Sequence, residues 1–160
     1  MELNEIELKP FLDEDVIIFD TWLDKEYIKK WYGEKEDWLD EINNRNGKFS
    51  FIKHFIVYFN NIKIGFCQYY DCYFLKDMFN NVFEEKYTFG IDYLIGEEEY
   101  LNKGIGNIII KKLEEKIIEI GGKEILADPV SGNKVSQKML LNNGFIKVKE
   151  DEFIKILYAK

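Results

Sequence analysis

The chain has 160 residues, 46% of them hydrophobic and 16% aromatic, which is ample material for one core in a single domain spanning residues 1–160. A formal net charge of −8 and a pI near 4.8 make nucleic acid a poor partner. No run of about 18 apolar residues exists to span a membrane, the opening MELNEIEL has no apolar signal core, and one His with two Cys argues against a metal site.

In chain order, Ile6 to Lys9 alternates as a short strand ended by Pro10. Asp13 is placed to N-cap a helix through Leu23, and Asp24 to cap a second helix that stops at Gly33. Glu36 to Arg45 reads as a third helix. Phe49 to Phe59 and Ile62 to Phe74 are rich in β-branched and aromatic residues, with Asn60-Asn61 as a hairpin turn between them. Cys67 and Cys72 fall on this second strand an odd number of residues apart. Their side chains would leave opposite faces, so two reduced thiols are expected in a cytoplasmic protein. Residues 75–86 carry no assignment.

Tyr87 to Ile95 is the next strand. Ile105 to Ile120 carries the strongest helical periodicity, with Ile105, Ile108, Ile109, Leu113, Ile117 and Ile120 on one face and Gly121-Gly122 as its stop. Glu124 to Ala127 is a short buried strand, Asn133 to Leu141 a helix stopped by Asn143-Gly144, and Phe145 to Lys149 with Phe153 to Tyr158 a closing hairpin. A meander of strands followed by a strand–helix–strand crossover predicts an α/β (α+β) chain: a mixed, mostly antiparallel central sheet flanked by helices.

The segment from Tyr87 to Gly106 orders a strand, a turn containing Lys103-Gly104-Ile105-Gly106, and a helix. Such a turn cradles an anion, because the glycines admit a ligand to the backbone and the first helical N–H groups point at it. Ile109 stands where a dinucleotide fingerprint needs its third glycine, and no G-K-[ST] follows, so neither a Rossmann turn nor a P-loop is present. Charge is divided unevenly. Residues 1–100 hold 22 Asp+Glu against 10 Lys and one Arg, a net of −11, and residues 101–160 hold 8 against 11 Lys, a net of +3. An acidic half suits a cationic partner and a mildly basic one an anionic cofactor; ordinary solvated faces are the alternative.

The glycine turn resembles the acetyl-CoA pyrophosphate loop of the GNAT N-acetyltransferases, with Leu101 where Gln or Arg is usual. Further segments resemble the aminoglycoside 6'-N-acetyltransferase branch. These are Trp22-Leu23-Asp24, Trp31-Tyr32-Gly33, Ile64-Gly65-Phe66-Cys67-Gln68-Tyr69-Tyr70, Gly90-Ile91-Asp92 with Gly96, Tyr100 to Gly106, Asp128-Pro129 with Asn133, and Asn143-Gly144-Phe145. Two departures stand out. Tyr93 follows the aspartate where Gln is usual, and Leu140 occupies the position of the tyrosine that protonates the leaving thiolate in many relatives.

The resemblance implies a GNAT acyl-CoA N-acyltransferase fold and acetyl-CoA as cosubstrate, without metal. Asn102, Lys103, Gly104, Ile105, Gly106 and Asn107 would hold the pyrophosphate, Asn133 the pantetheine arm, and Tyr93, Leu94 and Ile95 the thioester, with a backbone N–H of Tyr93 or Leu94 as oxyanion donor. A protonated amine needs a base. Asp92 is the leading candidate and Asp128 the second, against plain strand-end and turn acids. Trp31, Tyr32 and Tyr70 would line the substrate cleft or simply fill core, and His54 reads as an ordinary sheet residue. Tyr93, Tyr69 or water would protonate the thiolate. The implied partners are coenzyme A and a cationic small-molecule amine, with an aminoglycoside first among acceptors and antibiotic resistance as the corresponding role. Polyamines and siderophore hydroxylamines are alternative acceptors. A non-catalytic acyl-CoA-binding domain is a third reading, and a monomer or homodimer is expected.

Overall fold

A computed structural model describes residues 5–75, 83–130 and 132–158. Seven strands form one mixed sheet in the order β1-β2-β3-β4-β5-β7-β6. They are β1 (Ile6–Pro10), β2 (Ile52–Phe59), β3 (Ile62–Asp71), β4 (Thr88–Ile95), β5 (Glu124–Ala127), β6 (Ile146–Lys149) and β7 (Glu152–Ile156). Five helices accompany them: α1 (Val16–Leu23), α2 (Glu26–Tyr32), α3 (Lys35–Asn43), α4 (Ile105–Glu119) and α5 (Lys134–Asn142). The expected order and α/β class are observed. By contact the chain divides into two units, Met1–Gln68 with Tyr93–Ile109, and Tyr69–Asp92 with Ile110–Lys160. No helix among the described residues is long and apolar enough to cross a membrane.

In the first unit, β1 pairs antiparallel with β2 from Ile6↔Phe59 to Pro10↔Phe55. β1 is the edge strand, where the missing N–H of Pro10 breaks no ladder bond. Asn60 and Asn61 both take positive φ, 47° and 69°, as a two-residue hairpin whose twist matches its strands requires. Ile56, Phe66 and Leu94 of β2, β3 and β4 share one buried cluster with Phe19, Trp22, Leu23, Ile28 and Ile42 of α1–α3. Phe11 and Phe19 meet edge to face at 5.8 Å, and Phe19 and Trp38 at 6.3 Å. Burying each large apolar side chain contributes roughly 1.5–3 kcal/mol, so this aromatic layer is the main anchor of the helices.

Several boundaries differ from expectation. Asp13 does not cap α1. A 3-10 turn at Asp13–Asp15 comes first, and it is the buried Asp15 carboxylate that accepts the Leu12 N–H at 2.8 Å and pairs with Lys63 at 2.6 Å. Asp13 is paired with Arg45 instead. Asp24 ends α1 rather than starting α2. Residues 49–51 are turn, so β2 begins at Ile52. β3 stops at Asp71, and Cys72–Leu75 is a 3-10 turn. Cys72 is therefore off the strand, and the expected opposition of two strand faces does not apply; both cysteines are free and buried. Of the unassigned stretch, residues 76–82 lie outside the described residues.

In the second unit, β4 and β5 run parallel with Thr88↔Glu124, Phe89↔Ile125 and Gly90↔Leu126, and β5 and β7 run antiparallel. α4 buries Ile109, Ile110, Leu113 and Ile117; Ile120, expected on that face, is exposed because the helix has already ended at Glu119. Gly122 touches Ile117 and Phe89, where a Cβ would stand 2.3 and 2.9 Å from them. Lys155 of β7 donates to Glu114 of α4 at 2.8 Å. Both contacts place α4 on the face of the sheet that carries Phe89, Ile125 and Lys155.

Candidate active site

In the first unit, β4 ends at Ile95 and a 3-10 turn at Glu98–Tyr100 leads to the glycine turn. Asn102 and Gly104 both adopt positive φ, 60° and 79°. Asn tolerates the left-handed region and Gly reaches it without a Cβ penalty, so the chain reverses tightly into α4. Asn102 and Lys103 are exposed, Gly104, Asn107 and Ile108 half-buried, and Ile105 and Gly106 buried. The helix is 15 residues long, and its first N–H groups have no partners within the helix. Their partial positive charge, with Lys103 beside them, suits a pyrophosphate.

The last residues of β4 are held from both sides. On one edge, the Ile64 carbonyl of β3 accepts the N–H groups of Gly96 at 2.7 Å and Glu97 at 3.2 Å, and the Leu94 carbonyl crowds Gly65, where a Cβ would stand only 2.4 Å from it. Because the N–H and C=O of one residue leave a strand on the same edge and alternate residues repeat it, Leu94 faces β3. Tyr93 and Ile95 are directed to the opposite edge. There, Tyr32 Oη donates to the Tyr93 carbonyl and Tyr27 Oη to the Ile95 carbonyl at 2.7 Å. Just past the end of β4, Lys25 Nζ donates to the Gly96 carbonyl at 2.7 Å. Burial first, then Glu98 and Glu97, pushes the Tyr27 phenol up to about 12. Trp31 is half-buried with the Lys30 ammonium 4.8 Å over its ring.

In the second unit, Thr88, Gly90 and Asp92 leave β4 on one face, opposite Phe89. Tyr70 is buried on that face: a Cβ at Gly90 would lie 2.2 Å from Tyr70 Cζ. Asp128 directly follows β5, whose parallel pairing with β4 ends at Gly90↔Leu126, and Asp92 lies two residues further along β4. The Cys72 thiol senses both. Burial chiefly, then the carboxylates of Asp71, Asp128, Glu124 and Asp92, pushes it up to about 12. Asp128 itself is raised to about 6 by burial of its carboxyl, against a lowering backbone hydrogen bond, with Asp151 and Glu152 raising it further. The residue as a whole stays exposed, so its desolvation is partial; the flanking carboxylates act in either case and fix the upward direction.

A cavity of about 420 Å³ opens in the same unit, lined by Phe83, Tyr87 and three carboxylates, Glu84, Glu124 and Glu152, with Thr88, Leu126 and Ile154. Thr88 Oγ1 donates to Glu124 at 2.7 Å, which holds that carboxylate on the wall. Asp71 accepts the N–H groups of Tyr73 at 3.0 Å and Lys86 at 2.8 Å, fixing the chain on both flanks of residues 76–82. Asn133 caps α5 by accepting the Ser136 N–H at 3.2 Å, which leaves its amide N–H₂ to donate elsewhere. Leu140 is 1% exposed, a core residue. Tyr69 packs against Phe89 at 6.0 Å, on the α4 face, and its phenol is pushed up by burial and by Glu119. His54 is buried in β2 with Nε2 2.9 Å from Glu41, an ordinary sheet position. Among the described residues no group of three His, Cys, Asp or Glu side chains could hold a metal.

Sequence reasoning missed Tyr27, Lys25 and the Glu84–Glu124–Glu152 wall. Nothing local marks them, since each acquires its role from a partner far away in the chain.

A parallel β4–β5 pair, a glycine turn after β4 and a helix opening on it make an α/β chain with an anion-binding turn. The acetyltransferase (GNAT) domain pattern matches residues 11–153, and the chain belongs to that family of N-acetyltransferases, which use acetyl-CoA. Among solved structures, the chain is similar to aminoglycoside acetyltransferase AAC(6')-Ib in complex with coenzyme A, with a TM-score of 0.77, 18% identity, and 94% of each chain covered. It is also similar to an aminoglycoside N(6')-acetyltransferase from Legionella pneumophila (TM-score 0.72, 16% identity, 95% of this chain and 92% of that one). A spermidine N-acetyltransferase from Vibrio cholerae in complex with CoA and spermine has a TM-score of 0.73 at 10% identity, with 96% of each chain covered.

Proposed function

We propose that residues 1–160 act as one acetyltransferase domain that moves the acetyl group of acetyl-CoA to a primary amine of a polycationic small molecule, with an aminoglycoside 6'-amine as the leading acceptor. The observation that carries this reading is the concentration of carboxylates in one unit, where Asp92 and Asp128 both act on the Cys72 thiol and a cavity is walled by three glutamates and two aromatic rings. Such a surface selects a ligand with several ammonium groups and apolar faces.

In this reading Asn102 to Asn107 and the α4 N-terminus hold the pyrophosphate, and the Asn133 amide reaches the pantetheine. Backbone direction favours the Tyr93 N–H over that of Leu94 as oxyanion donor, because Leu94 faces β3. Asp92 takes a proton from the ammonium, directly or through water, and the neutral amine attacks the thioester carbonyl. The attacking nitrogen gives its second proton to water as the C–S bond breaks, and the thiolate takes a proton from water or from the Tyr93 side chain, which water then reprotonates. Asp128 stabilises the substrate cation. Leu140 being core, no acid is supplied from α5 at that position. Trp31 offers an aromatic wall. Tyr70, packed on Gly90, shapes the floor beneath Asp92 rather than presenting its ring.

A polyamine acceptor is the second reading, favoured by the three carboxylates of the cavity wall, each of which can meet an ammonium group. The test is thiol release from acetyl-CoA with a panel of aminoglycosides, polyamines and hydroxylamines at several salt concentrations. Turnover with cationic amines, with KM rising as salt screens the site, supports the proposal. A neutral amine preferred at every ionic strength, or no amine-dependent release, overturns it.

A further inference from the structure

The C-terminal half of β4 is bonded in an unusual way. Its parallel register with β5 covers Thr88 to Gly90, and three residues further on its carbonyls are taken by side chains of one short segment. Tyr32 Oη donates to Tyr93, Tyr27 Oη to Ile95 and Lys25 Nζ to Gly96. Tyr93 and Ile95 are alternate residues, so the two phenols occupy successive acceptors along one edge, as the N–H groups of a neighbouring strand would. The phenols come from the first and last turns of α2 (Glu26–Tyr32), whose Ile28 is buried in the aromatic core.

We infer that Tyr27 and Tyr32 are positioning residues that stand in for a strand along this edge of β4 and set the direction in which Tyr93 presents its N–H. The inference rests on the proposed function, in which that N–H meets the thioester oxygen. Tyr93 N–H and C=O leave the strand together, so a proton donor fixed on the carbonyl limits rotation of the residue and holds the N–H on the same edge. An oxyanion donor is effective only if it is aimed before the charge develops. A phenol anchor is suited to the task. It has a rigid ring, and Tyr27 stays a protonated donor throughout the working pH range because its titration is pushed up to about 12. Trp38 reinforces the arrangement by donating its indole N–H to the Tyr32 carbonyl, at the end of α2. The role assigned to Tyr32 from sequence, a cleft-lining aromatic, is thereby extended: its hydroxyl is committed to the β4 backbone.

The experiment compares Tyr27→Phe, Tyr32→Phe and the double variant with the wild type, using acetyl-CoA and the best acceptor, well below their melting temperatures. Phe keeps the rings and removes only the donors. A displacement of about 1 Å at a reacting group can cost on the order of 10²-fold in rate. The expected result is a fall in kcat of roughly 10-fold for Tyr32→Phe and up to about 100-fold for the double variant, with KM for acetyl-CoA within about two-fold. Lowered melting temperatures with kcat per folded molecule unchanged would show a purely structural anchor and overturn the inference while leaving the proposed activity intact. Absence of turnover in the wild type would instead remove the activity on which the inference stands.

Discussion

The indole of Trp22 lies directly on Gly96: a Cβ at that glycine would stand 2.1 Å from Trp22 Cδ2. The same indole N–H donates to Glu97, the next residue along. α1 is thus fitted to the end of β4 where the strand passes into the glycine turn, and Trp22 itself has no exposed surface. Gly96→Ala should force the ring or the strand to move, at about 1–3 kcal/mol for an overpacked core. A lowered melting temperature in thermal unfolding is expected; an unchanged one would mean that the indole is free to shift.

Gly104 sits at φ +79° in the turn before α4. Gly104→Val both strains that conformation and fills the approach to the helix N-terminus. Calorimetry with coenzyme A should show at least a 10-fold weaker Kd for a variant that is still folded. Wild-type affinity would exclude this turn as the pyrophosphate site.

Asp92→Asn keeps the shape and removes the proton acceptor. As a base, Asp92 is worth about 10²–10⁴ in kcat, with coenzyme A binding unchanged. If it only orients an ammonium, the loss falls on the acceptor's KM. A fully active variant would leave Asp128 or water to take the proton.

The pH dependence of Asp128 has a defined sign. Its carboxyl is raised from 3.8 to about 6 in the folded chain, mainly by burial. The folded state therefore holds the proton more tightly than the unfolded one. The stability this contributes is fully present below pH 3.8 and is lost as pH rises through 6. Asp128→Asn should accordingly raise the melting temperature relative to wild type at pH 7.5, with the difference shrinking toward pH 4. A constant offset across that range would show that the carboxyl is not perturbed.

Cys67 and Cys72 have no exposed surface, and burial pushes the Cys72 thiol up to about 12. Only the thiolate is nucleophilic, so a thiol reagent at pH 8 should modify neither residue in the native protein and both after unfolding. Rapid native labelling would contradict the burial.

Local rules were enough for much of this protein. The three-and-four spacing from Ile105 to Ile117 names α4, Asn60-Asn61 and Gly144 name turns with positive φ, and Asn133 names the start of α5. Each of these depends only on residues within a turn or two, so the sequence carries them entirely. The glycine turn was legible for the same reason, because a strand, a Gly-x-Gly and a helix are contiguous. The caps of α1 and α2 were not. Asp13 and Asp15 are equally good formers of a helix start, but neither side chain caps α1: Asp13 pairs with Arg45, and the Asp15 carboxylate turns back to the Leu12 N–H and to Lys63, 48 residues away. Distance along the chain also hid the seats of Trp22 on Gly96 and of Tyr70 on Gly90, the parallel register of β4 with β5, and the capture of the Tyr93 and Ile95 carbonyls by Tyr32 and Tyr27, 61 and 68 residues earlier. Composition and periodicity fix which face of an element is apolar. Which residue of another element lands opposite a given carbonyl or carboxylate is set by strand register and helix packing, and only the tertiary structure decides these.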